Sequence, residues 1–142
     1  MREKLQALKT NGIDRVVLLE FGHKLAAMSA RIGVTLDMEQ YDFRHIVLQC
    51  FMTVLMEPEL RDWTGAGIAV QTYLREAQDD LQWLIDWAGE RGTPILVRLV
   101  RGAYWDYETV IARQHGWEVP VWEAKADTDA TFEACLERLF SR

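Results

Sequence analysis

Two hydrophobic rhythms alternate along this chain. Short apolar, β-branched runs occur at Ile32–Leu36, Gly67–Val70 and Ile95–Val100. Turn chemistry introduces each of them: Gly33 opens the first, Gly65 and Gly67 flank the second, and Gly92 to Pro94 precede the third. These runs read as strands. Between them the apolar positions shift to a helical spacing. Phe43–Met56 carries Ile46, Val47, Cys50, Phe51, Val54 and Leu55 on that period. Pro58 ends this helix or starts a short further turn. Ala77–Arg91 repeats the pattern with Leu81, Leu84, Ile85 and Ala88, and Gly92 is placed to cap its end. Trp83 and Trp87, four apart, cover one face together. A further helix is predicted at Tyr107–Gln114. Thr128 reads as the N-cap of a last helix through Phe132, Cys135, Leu136 and Leu139.

Strand, helix, strand, helix, strand, helix is the order that favours parallel strands with right-handed crossovers, an α/β fold. Each strand also ends in a polar or charged residue: Asp37, Gln71, and the stretch from Arg98 to Trp105. The carboxyl ends of the strands are where β/α barrels carry their sites. The pattern therefore predicts part of a β/α (TIM-like) barrel, with three to four parallel strands. A closed barrel of this kind needs ~250 residues, and this chain has 142. A fragment, an assembly with another copy and an open α/β sheet are the ways to meet that shortfall, and the fragment is favoured because Leu139–Arg142 stops at a helix end. Residues 33–142 form the barrel portion. Residues 1–32 are set apart as an N-terminal segment, in which Val16–Leu19 is a further strand candidate and Gly22–Ala30 a helix behind it. Met1–Thr10 carries no identifiable chemistry.

Composition narrows the function classes. Nearly half the residues are hydrophobic and six are tryptophan, which argues for a packed core. The formal net charge is -6 and no basic face stands out, so nucleic-acid binding is not expected. Cys50 and Cys135 read as small buried hydrophobes in a reducing compartment. There is no apolar run of ~20 residues and no signal peptide, which points to a cytoplasmic protein. His23, His45 and His115 lack metal-ligand spacing, and Asp37 with Glu39 is a weak pair, so no metal is expected. Glu76, Asp79 and Asp80 suit a helix start, where the dipole favours negative charge. Trp63, Trp83, Trp87, Trp117 and Trp122 read as packing residues.

The candidate chemistry concentrates in Val97–Asp106. Arg98 lies within the predicted buried strand and Arg101 at its tip. A charge in a buried strand costs free energy unless it meets an anion or a polar ligand; a barrel carboxylate is the structural alternative. Asp37 either caps a helix beginning near Tyr41 or pairs with an internal arginine. Gln71 can donate and accept at once, as a ligand contact or as a satisfied structural amide. Gly102 allows close backbone approach. Tyr104 and Trp105 are either core aromatics or the wall of a pocket.

Three of these segments resemble the proline dehydrogenase family: Val34-Thr35-Leu36-Asp37-Met38-Glu39-Gln40-Tyr41, Gly67-Ile68-Ala69-Val70-Gln71-Thr72-Tyr73-Leu74, and Val97 to Asp106. The likeness covers about Gly33 to Phe140 and is greatest to the proline dehydrogenase domain of bifunctional proline utilisation proteins. It implies a distorted β/α barrel with FAD at its carboxyl end. The implied reaction oxidises L-proline to 1-pyrroline-5-carboxylate, on the way to glutamate, and passes electrons to a membrane quinone, with peripheral membrane association of the longer enzyme. By the same resemblance Asp37 lies at the active-site floor, and Arg98 is close to flavin N5. Gln71 contacts the flavin ring edge and Val100 gives it a backbone contact. Arg101, Gly102, Ala103 and Trp105 sit beside the cofactor. Leu99, Ala103 and Tyr104, with Asp37, wall the substrate pocket, and Asp37, Arg98 and Tyr104 form the implied catalytic set.

The chain also departs from that pattern. Arg101 stands where much of the family has lysine, and Glu123 near a position where some members have threonine. The family's carboxylate-binding arginine pair, its later histidine-asparagine motif and the lysine strand before Asp37 are absent. The rival expectations are a complementation-dependent fragment, or a non-catalytic α/β interaction module. Both predict self-association or docking to a complementary barrel chain through open sheet edges.

Overall fold

The computed structural model describes residues 33–141. Three strands, β1 (Val34–Leu36), β2 (Ala66–Gln71) and β3 (Leu96–Val100), form one sheet in the order β1-β2-β3. Both pairings are parallel, with Leu36 beside Ile68, Ala69 beside Arg98 and Gln71 beside Val100. Helix α1 (Arg44–Leu55), preceded by a 3-10 turn at Tyr41–Phe43, connects β1 to β2, and α2 (Ala77–Arg91) connects β2 to β3. Then follow α3 (Trp105–His115) and α4 (Lys125–Phe140). Helix α4 packs on α2 and β3. The alternation read from the sequence is therefore the observed one, with most element ends moved by a residue or two and the start of α4 moved by four. Ile32, the predicted helix Gly22–Ala30 and the strand candidate Val16–Leu19 lie outside the described residues.

The core sits between the sheet and its helices. Every residue of the central strand β2 is buried. Ile68 and Val70 meet Leu48, Phe51 and Leu55 of α1 and Leu84 of α2 in one cluster. Two arginines hold connections in place. Arg91, at the end of α2, donates to the carbonyls of Leu55, Leu60 and Trp63 at 3.2, 2.7 and 2.8 Å. It thereby gives the Leu55 and Trp63 carbonyls a partner, and adds a second donor to the Leu60 carbonyl, which already accepts the Trp63 amide at 3.1 Å. Arg44 is only 2% exposed. It pairs with Glu76 and, at 3.2 Å, with Asp80 at the start of α2. Gly92 caps α2 in the left-handed region at φ 75°, as its position suggests.

Some expectations need correction. Thr128 does not cap α4. The helix starts at Lys125, with Ala124 as extended N-cap, and the Asp127 and Thr128 amides already donate to the Ala124 carbonyl. Thr128 is buried within the first turn. Helix α3 begins at Trp105 rather than Tyr107. Strand β3 is not buried on both faces: Leu96 is 57% exposed and Arg98 is more than half exposed, because nothing among the described residues covers that face. Trp117 is no packing residue, at 57% exposed; it stacks on His115 with centroids 4.5 Å apart. Cys50 is half-buried and Cys135 buried, both free, and burial raises both thiols.

Candidate functional site

The strands all end at one edge, and their exits surround a cleft of about 320 Å³. Side chains alternate across a strand, so Arg98 and Val100 share a face and Leu99 takes the other. Small residues on β2 give the cleft its depth. Ala69 lies in its lining and directly beside Arg98 in register. The Arg98 guanidinium reaches past β2 to pair with Asp37 at the end of β1. Both partners are more than half exposed, so this pair contributes little to stability. Its consequence is local: a fixed cation and a fixed carboxylate face the same cleft.

Gln71 lies at the cleft, buried, and its Nε2 donates to the Glu39 carbonyl at 2.9 Å. Its amide thus props the loop after β1, the structural alternative. Val100 lines the cleft. Its carbonyl stays within the sheet, accepting the Thr72 amide at 2.8 Å and the Thr72 hydroxyl at 3.3 Å. Val100 therefore presents a side chain to the cleft rather than that carbonyl. Leu99 does not line the cleft; it packs against the hydrophobic core on the helix side. Its place as a substrate-pocket wall is corrected on that ground, since a strand cannot turn two successive residues to one face.

Arg101, Gly102, Ala103 and Tyr104 complete the cleft wall. Gly102 has φ 131°, and a Cβ built on it would stand 2.5 Å from the Tyr73 ring. Here a glycine is required, but the close approach is to Tyr73. Burial, then the neighbouring Glu108 carboxylate, push the Tyr73 phenol above its ordinary range. Arg101 turns toward α4. Its Nε donates to Asp129 at 2.7 Å and its guanidinium lies 5.1 Å from the Phe132 ring. Lys125 pairs with the same carboxylate, and hydrogen bonds from Lys125 and Arg101 hold Asp129 below the usual carboxylate range.

Trp105 lies beyond this cleft, in an adjoining one of about 290 Å³. Its indole N–H donates to the Trp122 carbonyl at 2.8 Å. Tyr73, Trp122, Glu123, Lys125 and Thr128 line the second cleft, and Arg101 and Gly102 border both. Sequence reasoning missed Tyr73, Trp122, Lys125 and Thr128 here. The only signal was Pro120, which sets the segment that doubles back: Val121 bridges antiparallel to Leu74, and the Arg75 amide donates to the Pro120 carbonyl at 3.0 Å. Glu123 is engaged by Arg113 at the rim. Among the described residues no cluster of His, Cys, Asp or Glu has metal-site geometry, and no helix is long and apolar enough to cross a membrane.

Two adjoining clefts, one holding the Arg98–Asp37 pair and the other walled by Tyr73, Trp105 and Trp122, suit an elongated ligand with an aromatic part. The sequence model described as proline dehydrogenase matches residues 23–142. The chain is 36% identical over 118 residues to the bifunctional protein PutA of Klebsiella aerogenes, covering 82% of this chain and 9% of that protein. It is 35% identical over 72 residues to hydroxyproline dehydrogenase of Bos taurus, covering 51% of this chain and 16% of that one. Among solved structures, PutA of Bdellovibrio bacteriovorus inactivated by N-propargylglycine superposes with a TM-score of 0.76 at 48% identity, covering 77% of this chain and 11% of that one. A Bradyrhizobium japonicum PutA mutant gives 0.80 at 32% identity, covering 87% and 13%. The chain thus spans about a tenth of the length of the PutA proteins it matches. Its three parallel strands and their helices correspond to part of the proline dehydrogenase domain in those structures, and the chain belongs to the proline dehydrogenase family.

Proposed function

We propose that this chain supplies the middle of a flavin-dependent proline dehydrogenase site. The completed protein oxidises L-proline to 1-pyrroline-5-carboxylate. The observation that carries this reading is the meeting of Asp37, Gln71, Arg98, Arg101 and Tyr104, from three successive strand exits, in one cleft. The paired clefts offer the residues that would hold FAD, Gln71 and Arg98 in one and Trp105, Trp122 and Lys125 in the other. When bound, FAD would supply the two-electron acceptor for the hydride that proline loses from its ring carbon as the C–N bond becomes C=N, with the ring nitrogen's proton passing to solvent.

The chain's own residues shape that event. Arg98 holds positive charge where the acceptor becomes more negative, which favours reduction. Asp37 fixes the guanidinium in place. Tyr104 walls the small substrate ring and excludes water. Arg101 and Lys125, both now paired with Asp129, would be the cations nearest the acidic groups of a bound nucleotide. An arginine pair for the proline carboxylate does not occur in this sequence, so that contact comes from elsewhere in the completed site. A quinone acceptor and a cytoplasmic location belong to the same reading and are supported by the family alone.

The exposed face at Leu96 and Arg98 favours one second reading: the chain acts only when complementary strands cover that face. FAD titration of the chain, with and without L-proline, tests both. Saturable binding with bleaching of flavin absorbance by proline supports a working site in this chain. Binding without bleaching, restored by a chain supplying the remaining strands, supports complementation. No binding under either condition sinks the flavin reading.

A further inference from the structure

The two walls of the cleft belong to loops far apart in sequence. One leaves β1 through Asp37 and Glu39 to Tyr41. The other leaves β3 through Gly102 to Tyr104 and enters α3. Glu108 lies in the first turn of α3, where the helix dipole favours a carboxylate. It is 6% exposed and does not line the cleft. Its Oε1 accepts the backbone N–H of Tyr41 at 2.8 Å, across a separation of 67 residues. A buried carboxylate on one wall therefore grips the backbone of the other. Gln71 holds the same loop at Glu39, from the floor. Burial, with Asp42 nearby, raises the Glu108 carboxyl, and the Tyr41 amide opposes that rise.

A carboxylate that accepts a backbone amide makes a stronger bond than a neutral acceptor would. Asp37, which pairs with Arg98, is held between the sheet and this grip. We infer that Glu108 is a positioning residue, whose clasp on the Tyr41 amide sets where Asp37 stands relative to Arg98. The clasp follows from the geometry alone. Its effect on flavin affinity rests on the function proposed above.

Residue-resolved amide hydrogen exchange and FAD titration of this chain test the inference with Glu108→Ala, Glu108→Asp and Glu108→Gln. Glutamine keeps an acceptor oxygen at the same reach, and aspartate keeps the charge but falls short. In the Ala and Asp variants, protection at Tyr41 and the loop before it falls about tenfold or more, while β2 amides keep theirs. The Gln variant, a neutral acceptor at the same reach, loses no more than about twofold. The FAD dissociation constant rises about tenfold in Ala and Asp, because a loosened loop dilutes the competent arrangement, and stays within twofold in Gln. Unchanged Tyr41 protection in the Asp variant overturns the clasp. So does a loss in all three variants that spreads evenly over β2, which marks a general structural role. Should the Ala variant fail to fold, the Asp and Gln pair decides. If the parent chain takes up no FAD even with the complementary strands present, the flavin reading fails, and the exchange comparison still decides the clasp.

Discussion

Replacing Arg98 with methionine keeps an unbranched apolar stem and removes the guanidinium and its charge. In a completed enzyme this variant is expected to retain FAD but to reduce it on the order of 100-fold more slowly with proline, the loss typical of removing one preorganised charge-stabilising group. Stopped-flow bleaching of the flavin measures it, and an unchanged reductive rate would withdraw Arg98 from the chemistry. Gly102 tests a different kind of necessity. A methyl group there meets the Tyr73 ring at 2.5 Å on backbone at φ 131°, so Gly102→Ala is expected to cost about 2 kcal/mol or more from overpacking and strain. The midpoint of urea unfolding reports it. At this scale the sequence was informative about which residues meet, and less so about what they touch. Asp37 and Arg98 were legible because each ended or filled a strand pattern. The Gln71 bond to the Glu39 backbone and the Gly102 contact with Tyr73 were not, since both depend on backbone courses that no residue type announces.

Among the elements, the start of α2 carries a testable pH dependence. Burial raises Asp80 from an ordinary value of 3.8 to about 6, against the pull of Arg44, with Glu76 and Asp79 adding to the rise. A carboxyl raised in the folded state binds its proton more tightly there than when unfolded. Its contribution to stability therefore falls as pH rises from about 4 to about 6, then levels off. Glu76, held below its ordinary value by Arg44 and Tyr41 despite some burial, contributes in the opposite sense, losing stability as pH falls through its folded value. Asp80→Asn is expected to remove the decline between pH 4 and 6, as read from urea midpoints across that range. Arg91→Leu is expected to cost about 3 kcal/mol, because the Leu55 and Trp63 carbonyls would lose their side-chain partner, while the Leu60 carbonyl keeps the Trp63 amide. The strands and helices were legible because their apolar periods agree with turn residues on each side. The start of α4 was not. There a backbone carbonyl begins the helix, and Thr128, the residue that looked like a cap, turns inward among the core-facing positions.

For the molecule as a whole, parallel order and the gathering of chemistry at one edge were readable from strand ends alone. That the sheet is open followed from the length of the chain; the bare face of β3 did not, because an apolar strand reads the same whether its face is covered or bare. A completing set of strands is expected to bury Leu96 and much of the Arg98 stem. Methyl NMR of Leu96 on mixing with a chain carrying those strands would show it, and an unshifted signal would mean that the partner docks elsewhere or not at all. The doubled-back segment carries a consequence of another kind. Tyr73 first gives its amide to Arg101, and its own carbonyl then receives the amide of Trp122; both partners are encoded after it. That edge can therefore close only once Trp122 has been made. A chain cut before Val121 lacks the partners of the Tyr73 carbonyl and of Leu74.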